Sequence, residues 1–196
     1  MIYGTHNSGT CYNLVWWERV LAWPLHATSR CQKRTIAQQL EDGVKVFNLQ
    51  ITKYRNKWVY SHGLCVYNKE IKEDIALFHK YATPDHPIYI TIYLDKNFLT
   101  GQDMEGFKDL IQELVDDWKD SNVILLNAWI EGTSDYIYES DTYIDLVEHY
   151  WTVIWGKQSS KWLDKIPLPK RHAKKYNKVY KESNTHKYLM LDFYEI

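Results

Sequence analysis

Short runs that are apolar on both faces alternate along this chain with longer stretches of helical period. "VKVFNLQI" (44–51), "PIYITIYLD" (87–95), "NVILLNAWI" (122–130), "WTVIWG" (151–156) and "KYLMLDFYE" (187–195) are β-branched, aromatic and mostly apolar. Strands of a parallel sheet covered on both sides read this way. "MIYG" predicts a short first strand, and "KWVYSH" (57–62) an additional one after the "KYRNK" turn. Between them, "RCQKRTIAQQLEDG" predicts a helix stopped by Gly43, and "KEIKEDIALFHKYA" one that stops before Pro84. "DMEGFKDLIQELVDDWKDS" places Phe107, Leu110, Ile111, Leu114, Val115 and Trp118 on one helical face. "TYIDLVEHY" and "HAKKYNKVYKES" complete the helical series. The alternation predicts one α/β domain over residues 1–196, a distorted or incomplete (β/α) barrel of TIM type with mostly parallel strands. A doubly wound open sheet is the competing architecture.

Polar residues inside the strands give the first functional signal. In "VKVFNLQI", Lys45, Phe47, Leu49 and Ile51 share one face, while Val44, Val46, Asn48 and Gln50 share the other. Two amides therefore sit near the carboxyl end of that strand. In "PIYITIYLD", Tyr89, Thr91, Tyr93 and Asp95 share a face, with the acid again at the carboxyl end. Asp192 interrupts the apolar run "KYLMLDFYE", and a buried acid needs a partner. His6, in "YGTHNSGT", lies just past strand one, and His62, in "YSHGL", just past "KWVY". All of these fall at the same end of the sheet, where the active sites of barrels and open α/β sheets collect. A lone histidine is more often structural than catalytic; the shared location strengthens the case for both.

Composition narrows the classes. A formal net charge of −1 over 196 residues argues against a general nucleic-acid binder. Nine Trp and sixteen Tyr against five Phe suit either a packed core or a surface that meets lipid or sugar. No apolar run approaches the ~18–20 residues of a membrane span, and no secretory signal pattern is visible. A cytoplasmic or peripheral-membrane location is the resulting expectation. Cys11, Cys31 and Cys65 are odd in number and lack CxxC spacing, which indicates neither a zinc site nor a full disulfide framework. In "NLVWWERVLAWPLHATS" (13–29), Trp16, Trp17, Val20, Leu21 and Trp23 form an apolar ridge with Glu18 and Arg19 on the other side. Plain core packing and contact with a lipid interface are the two readings of that ridge.

"GTHNSGT", "CQKRTIAQQLEDGVKVFNLQI", "YSHGL", "PIYITIYLD" and "YLMLDFYE", in that order, resemble the catalytic X-type domain of phosphatidylinositol-specific phospholipase C. The similarity is to the compact bacterial-type phosphodiesterases and runs from residue 3 to residue 194. It implies an incomplete barrel that cleaves a glycerophosphodiester by internal hydroxyl attack. It further implies His6 as general base, His62 as general acid, Asp192 as the acid orienting His6, and Asn7 as a contact to metal or substrate. Two imidazoles with pKa near neutrality suit this division of labour, each worth about 100- to 10,000-fold in rate.

The chain departs from the family at "FNLQI", where Asn48 and Gln50 stand in place of an acid followed by an arginine or a second acid. Tyr93 occupies a usually charged position, with Asp95 two residues beyond. Three accounts stay open. Asn7, Asn48, Gln50 and Asp95 hold a divalent cation weakly, calcium being the candidate cofactor, although one carboxylate is poor for calcium. Alternatively Lys53, Lys96 or Lys157 supplies the positive charge, or the site binds an inositol-phosphate head group without cleaving it. The expected partner is a phosphatidylinositol-type lipid or another phosphodiester. Trp16, Trp17 and Trp23 would give a peripheral membrane contact. No nucleic acid partner is expected, and the chain would act as a monomer.

Overall fold

In the computed structural model of the chain, residues 2–16, 26, 29–97, 100–133, 136–140 and 188–191 are described. They form strands β1 (Ile2–Thr5), β2 (Val46–Tyr54), β3 (Lys57–His62), β4 (Cys65–Glu70), β5 (Ile88–Leu94), β6 (Val123–Ile130), β7 (Tyr136–Glu139) and β8 (Tyr188–Leu191). Helices α1 (Ile36–Glu41), α2 (Ile71–Tyr81) and α3 (Met104–Trp118) lie among them. The strands predicted at 44–51, 57–62, 87–95 and 122–130 all form. The segments read as helix or strand at 142–150, 151–156 and 172–183 lie outside the described residues.

Strands β8, β1, β2, β5 and β6 run parallel, each bonded to the next. The nine residues of β2 organise the sheet. Its first half pairs with β1, its second half pairs with β3 along the same edge, and β5 takes the other edge. Most of the described strand pairings are parallel, as expected, and β3, β4 and β7 add antiparallel neighbours to that core. The reason is local. Arg55 and Asn56 both adopt left-handed backbone (φ 50 and 60), making a two-residue turn of the kind that forces a hairpin. Gly63, at φ 62, turns β3 into β4. Among the described residues the sheet is open, branching at β2 and ending at β4, β7 and β8, so these strands do not themselves close a barrel.

Two helices are shorter than their patterns suggest. α1 begins only at Ile36, where Thr35 and Gln38 form a capping box, and stops before Gly43 at φ 81. "KEIKEDIALFHKYA" starts its helix at Ile71, because Lys69 and Glu70 still belong to β4. α3 buries Phe107, Ile111, Leu114 and Trp118 as its periodicity requires. They join Phe47, Leu49 and Ile51 of β2, Ile88, Ile90, Ile92 and Leu94 of β5, and Phe78 of α2 in one core. Each such side chain contributes about 1.5–3 kcal/mol on burial.

The other face of the same strands is polar. Register places Asn48, Thr91 and Asn127 in one row across β2, β5 and β6, and Gln50, Tyr93 and Trp129 in the next. Asp95 and Glu131 follow at the carboxyl ends.

Candidate active site

At the end of β1 the chain makes a tight bend. Asn7 takes left-handed backbone (φ 45, ψ 53), which asparagine tolerates better than most residues, and a 3-10 turn over Ser8–Cys11 follows. The Asn7 amide N–H donates to Asn48 Oδ1 (3.1 Å), and Tyr93 donates its hydroxyl proton to Asn7 Oδ1 (2.8 Å). Ser8 Oγ accepts from the Asn48 N–H (3.0 Å), and Gln32 Nε2 donates to the His6 carbonyl (2.9 Å). His6 is therefore carried on a backbone pinned from three directions.

Gly9 explains why the bend is glycine-rich. A Cβ there would lie 2.1 Å from Tyr60 Cδ1. The Tyr60 ring has no room to swing: it is buried, and its hydroxyl donates to Asp74 (2.9 Å), which also accepts from Tyr12 (2.8 Å). Burial pushes the Asp74 pKa up, and these two hydroxyls draw it partly back. Gly9→Ala is expected to destabilise the protein by about 1–3 kcal/mol or more, as overpacking does. A thermal melt checks this; an unchanged melting temperature would show that the ring yields freely.

His62 ends β3, opposite Cys65 of β4. Its Nδ1 lies 2.6 Å from the Ser29 carbonyl oxygen. A carbonyl only accepts, so Nδ1 carries the proton of that bond. Asn97, itself buried, donates from Nδ2 to the Gly63 carbonyl (2.9 Å) and steadies the turn beyond His62. The His6 and His62 rings approach edge to face, with centroids 6.4 Å apart at an interplanar angle of 80°.

Beneath the two rings the polar rows are bonded to one another. Asn48 Nδ2 donates to Thr91 Oγ1 (2.9 Å), the Tyr93 hydroxyl proton is shared between Asn7 Oδ1 and Gln50 Oε1 (2.6 Å), and Gln50 Nε2 donates to Asp95 Oδ1 (2.8 Å). The Tyr93 ring stacks on Trp129 (4.5 Å, 9°). Burial, reinforced by the adjacent Glu131 carboxyl, pushes the Asp95 pKa up to about 8. Glu131 Oε2 also accepts the Lys96 backbone N–H (2.9 Å).

These bonds test the candidate ligands. The Asn7 and Asn48 oxygens are already engaged inside the network, and Asp95 is a single carboxyl whose Oδ1 accepts from Gln50 Nε2. Calcium prefers six to eight oxygens, several of them charged, so Asn7, Asn48 and Asp95 do not fit that ion as they stand. Among the described residues no three His, Cys, Asp or Glu side chains gather as a metal cage. Lys53 is drawn off by Asp103 (2.5 Å) and lies over the Trp58 ring. Lys96 is exposed at the end of β5, with its chain against Gly132. Asp192, Lys157, Trp17 and Trp23 lie outside the described residues. Trp16 is 70% exposed. Leu14 bridges Tyr67 and the Val15 N–H bonds the Val66 carbonyl, so this segment runs antiparallel along β4 and carries Trp16 toward the His62 turn. Leu64, 40% exposed, sits in that turn.

Four contributors went unread in the sequence: Ser29, Gln32, Asn97 and Glu131. Glu131 was within reach, because the alternation that places Asp95 also places Asn127, Trp129 and Glu131 on one face. Ser29 acts through a backbone carbonyl, which no side-chain pattern reveals.

No protein-family model matches the chain, and no curated protein does. The fold, however, is that of bacterial phosphatidylinositol-specific phospholipase C. The Listeria monocytogenes structure superposes with a TM-score of 0.61 at 17% identity, covering 98% of this chain and 87% of that one. A mutant form of the Staphylococcus aureus protein gives 0.58 at 12% identity, covering 98% and 85%. A further S. aureus structure, concerned with modulation of that enzyme's membrane binding, gives 0.57 at 13% identity with the same coverage. At these identities the likeness is one of fold.

Proposed function

We propose, on the premise of that shared fold, that the chain is a phospholipase C-like phosphodiesterase. Its substrate is a glycerophosphodiester of phosphatidylinositol type, cleaved by attack of a neighbouring hydroxyl on phosphorus. The observation that carries this reading is the pair of imidazoles 6.4 Å apart, His6 just past parallel strand β1 and His62 at the end of antiparallel β3. Internal attack removes a proton from one oxygen and delivers one to another. His6 takes the first, and cationic His62 gives the second from Nε2, since Nδ1 is committed to Ser29. Asp192 would orient His6, as the family resemblance implies.

Charge on the non-bridging oxygens needs a cation. Asn48 and Gln50 are neutral and bonded within their own network, so the role falls to Lys96 or Lys157, and calcium is not required. Trp16 and Leu64 stand at the rim beside His62, and with Trp17 and Trp23 they would rest on a lipid surface. No helix among the described residues is long and apolar enough to cross a membrane.

The neutrality of Asn48 and Gln50 favours one rival, a module that binds an inositol-phosphate head group without turnover. Purified protein incubated with phosphatidylinositol vesicles, and with a water-soluble inositol phosphodiester, separates the two. Cyclic phosphate product from both substrates is expected, and a chelator should leave the soluble reaction unchanged. Vesicle binding with no product from either substrate would establish the rival instead.

A further inference from the structure

His62 is held by a backbone carbonyl, and that carbonyl is itself held. Ser29 O accepts from His62 Nδ1 at 2.6 Å and from the Tyr67 hydroxyl at 3.3 Å, with the Cys31 thiol 3.8 Å away. Tyr67 is fully buried on β4, and Cys31 Sγ also lies 3.7 Å from Nδ1. The segment that presents Ser29 is fastened at its other end. The Cys31 and Gln32 backbone N–H groups both donate to Thr10 Oγ1 (2.9 and 3.2 Å), and Thr10 Oγ1 donates to the Asn7 carbonyl (2.8 Å). Gln32 Nε2 then reaches the His6 carbonyl (2.9 Å). One four-residue stretch thus touches the supports of both histidines.

We infer that Ser29–Gln32 is a brace that fixes His62 in the Nδ1–H tautomer, with Tyr67 as the positioning residue that holds the brace's carbonyl in place. The chemistry follows from what a carbonyl can do. It accepts a hydrogen bond from either charge state of the ring but takes no proton. The Nδ1 proton therefore stays where it is through a reaction cycle, and only Nε2 gains and loses one. A carboxylate in the same place would also raise the imidazole's basicity; a carbonyl orients with a weaker pull. Cys31 adds a polarisable contact on the same edge of the ring, and Thr10 ties the brace's spacing to the bend that carries His6. The consequence for proton transfer rests on the proposed role of His62, whereas the tautomer itself does not.

The test reads the tautomer directly. In protein carrying 15N-labelled histidine, long-range nitrogen–proton spectra above the ring's pKa distinguish protonated from unprotonated nitrogens, and His62→Ala identifies the His62 signals. The expected result is Nδ1 protonated and Nε2 bare in the wild type. In Tyr67→Phe, the signals should shift toward a mixture of tautomers. An Nε2–H ring in the wild type overturns the brace, whatever the activity, and needs no variant to fold. With an active enzyme, Tyr67→Phe should lower kcat about tenfold, as loss of an outer partner does elsewhere, with KM unchanged. A Tyr67→Phe protein that keeps the single Nδ1–H tautomer and full kcat would remove Tyr67 from the role. A protein with the expected tautomer but no turnover of any phosphodiester would leave the brace standing and defeat the enzymatic reading alone.

Discussion

Replacing His62 by alanine is expected to slow cleavage of an alkyl phosphodiester by ~100- to 10,000-fold, yet barely affect a substrate with a nitrophenolate leaving group. The difference follows from the proposed division of labour. An alkoxide cannot depart without a proton, whereas a nitrophenolate can, so only the first substrate needs an acid. His6→Ala should slow both substrates by a comparable factor, because the attacking hydroxyl must lose its proton in either case. The pH dependence separates the roles again. Activity needs His6 neutral and His62 charged, so the wild-type profile should be a bell. Rate should fall at low pH as His6 protonates and at high pH as His62 deprotonates. His62→Ala, with the alkyl substrate, should lose the high-pH limb and keep the low one. Both rings sit on backbones pinned by other residues, among them Gln32, Asn48 and Asn97, so neither substitution should unfold the protein. Measuring kcat/KM against pH for the two substrates decides the matter. Equal losses on both in His62→Ala would withdraw the acid assignment.

Stability is expected to fall as pH rises from about 4 to about 8, on the order of a few kcal/mol in total, through Asp95. In the folded protein, burial first and then the Glu131 carboxyl push its pKa up to about 8 from the 3.8 of an exposed aspartate. Across that window the unfolded chain has already released this proton while the folded chain still holds it. Raising the pH therefore favours unfolding until Asp95 ionises in both states. Gln50 and the Ser61 hydroxyl pull in the other direction but do not reverse the shift. Asp95→Asn keeps an oxygen for the Gln50 amide and removes the ionisation. Its melting temperature should be nearly level between pH 5 and pH 8, crossing above the wild type toward the alkaline end. Parallel curves for the two proteins would place the proton elsewhere.

How far the chain could be read varied with the kind of force at work. Alternation along β2 and β5 was enough to put Asn48, Gln50, Tyr93 and Asp95 on one face, because a pleated strand leaves no other choice once Phe47, Leu49 and Ile51 must face the core. The antiparallel additions were harder. "CVYNKE" carries no clean period and runs straight into α2, so β4 hides inside a helical pattern. Arg55–Asn56 makes its hairpin without the Asn-Gly pair that normally announces one. Lys53 illustrates a different failure. It stands near a strand end, as a phosphate-binding lysine should, but Asp103 lies fifty residues on and captures it. Sequence position says where a charge starts, and only the fold says which partner reaches it first.

The edge that β1 shares with β3 along β2 has a consequence for how the protein comes to be active. β3 reaches β2 through a two-residue turn, so the strand that carries His62 pairs with β2 through contacts close in sequence. β1 is held on its far side by β8, with Ile2 beside Tyr188, and that pairing spans nearly the whole chain. Loop-closure entropy makes such distant pairings the slow ones to form. During refolding, the hairpin's spectroscopic signals should recover before the chain can position His6 against it. Competence would then arrive last, as a report on the completion of the entire sheet.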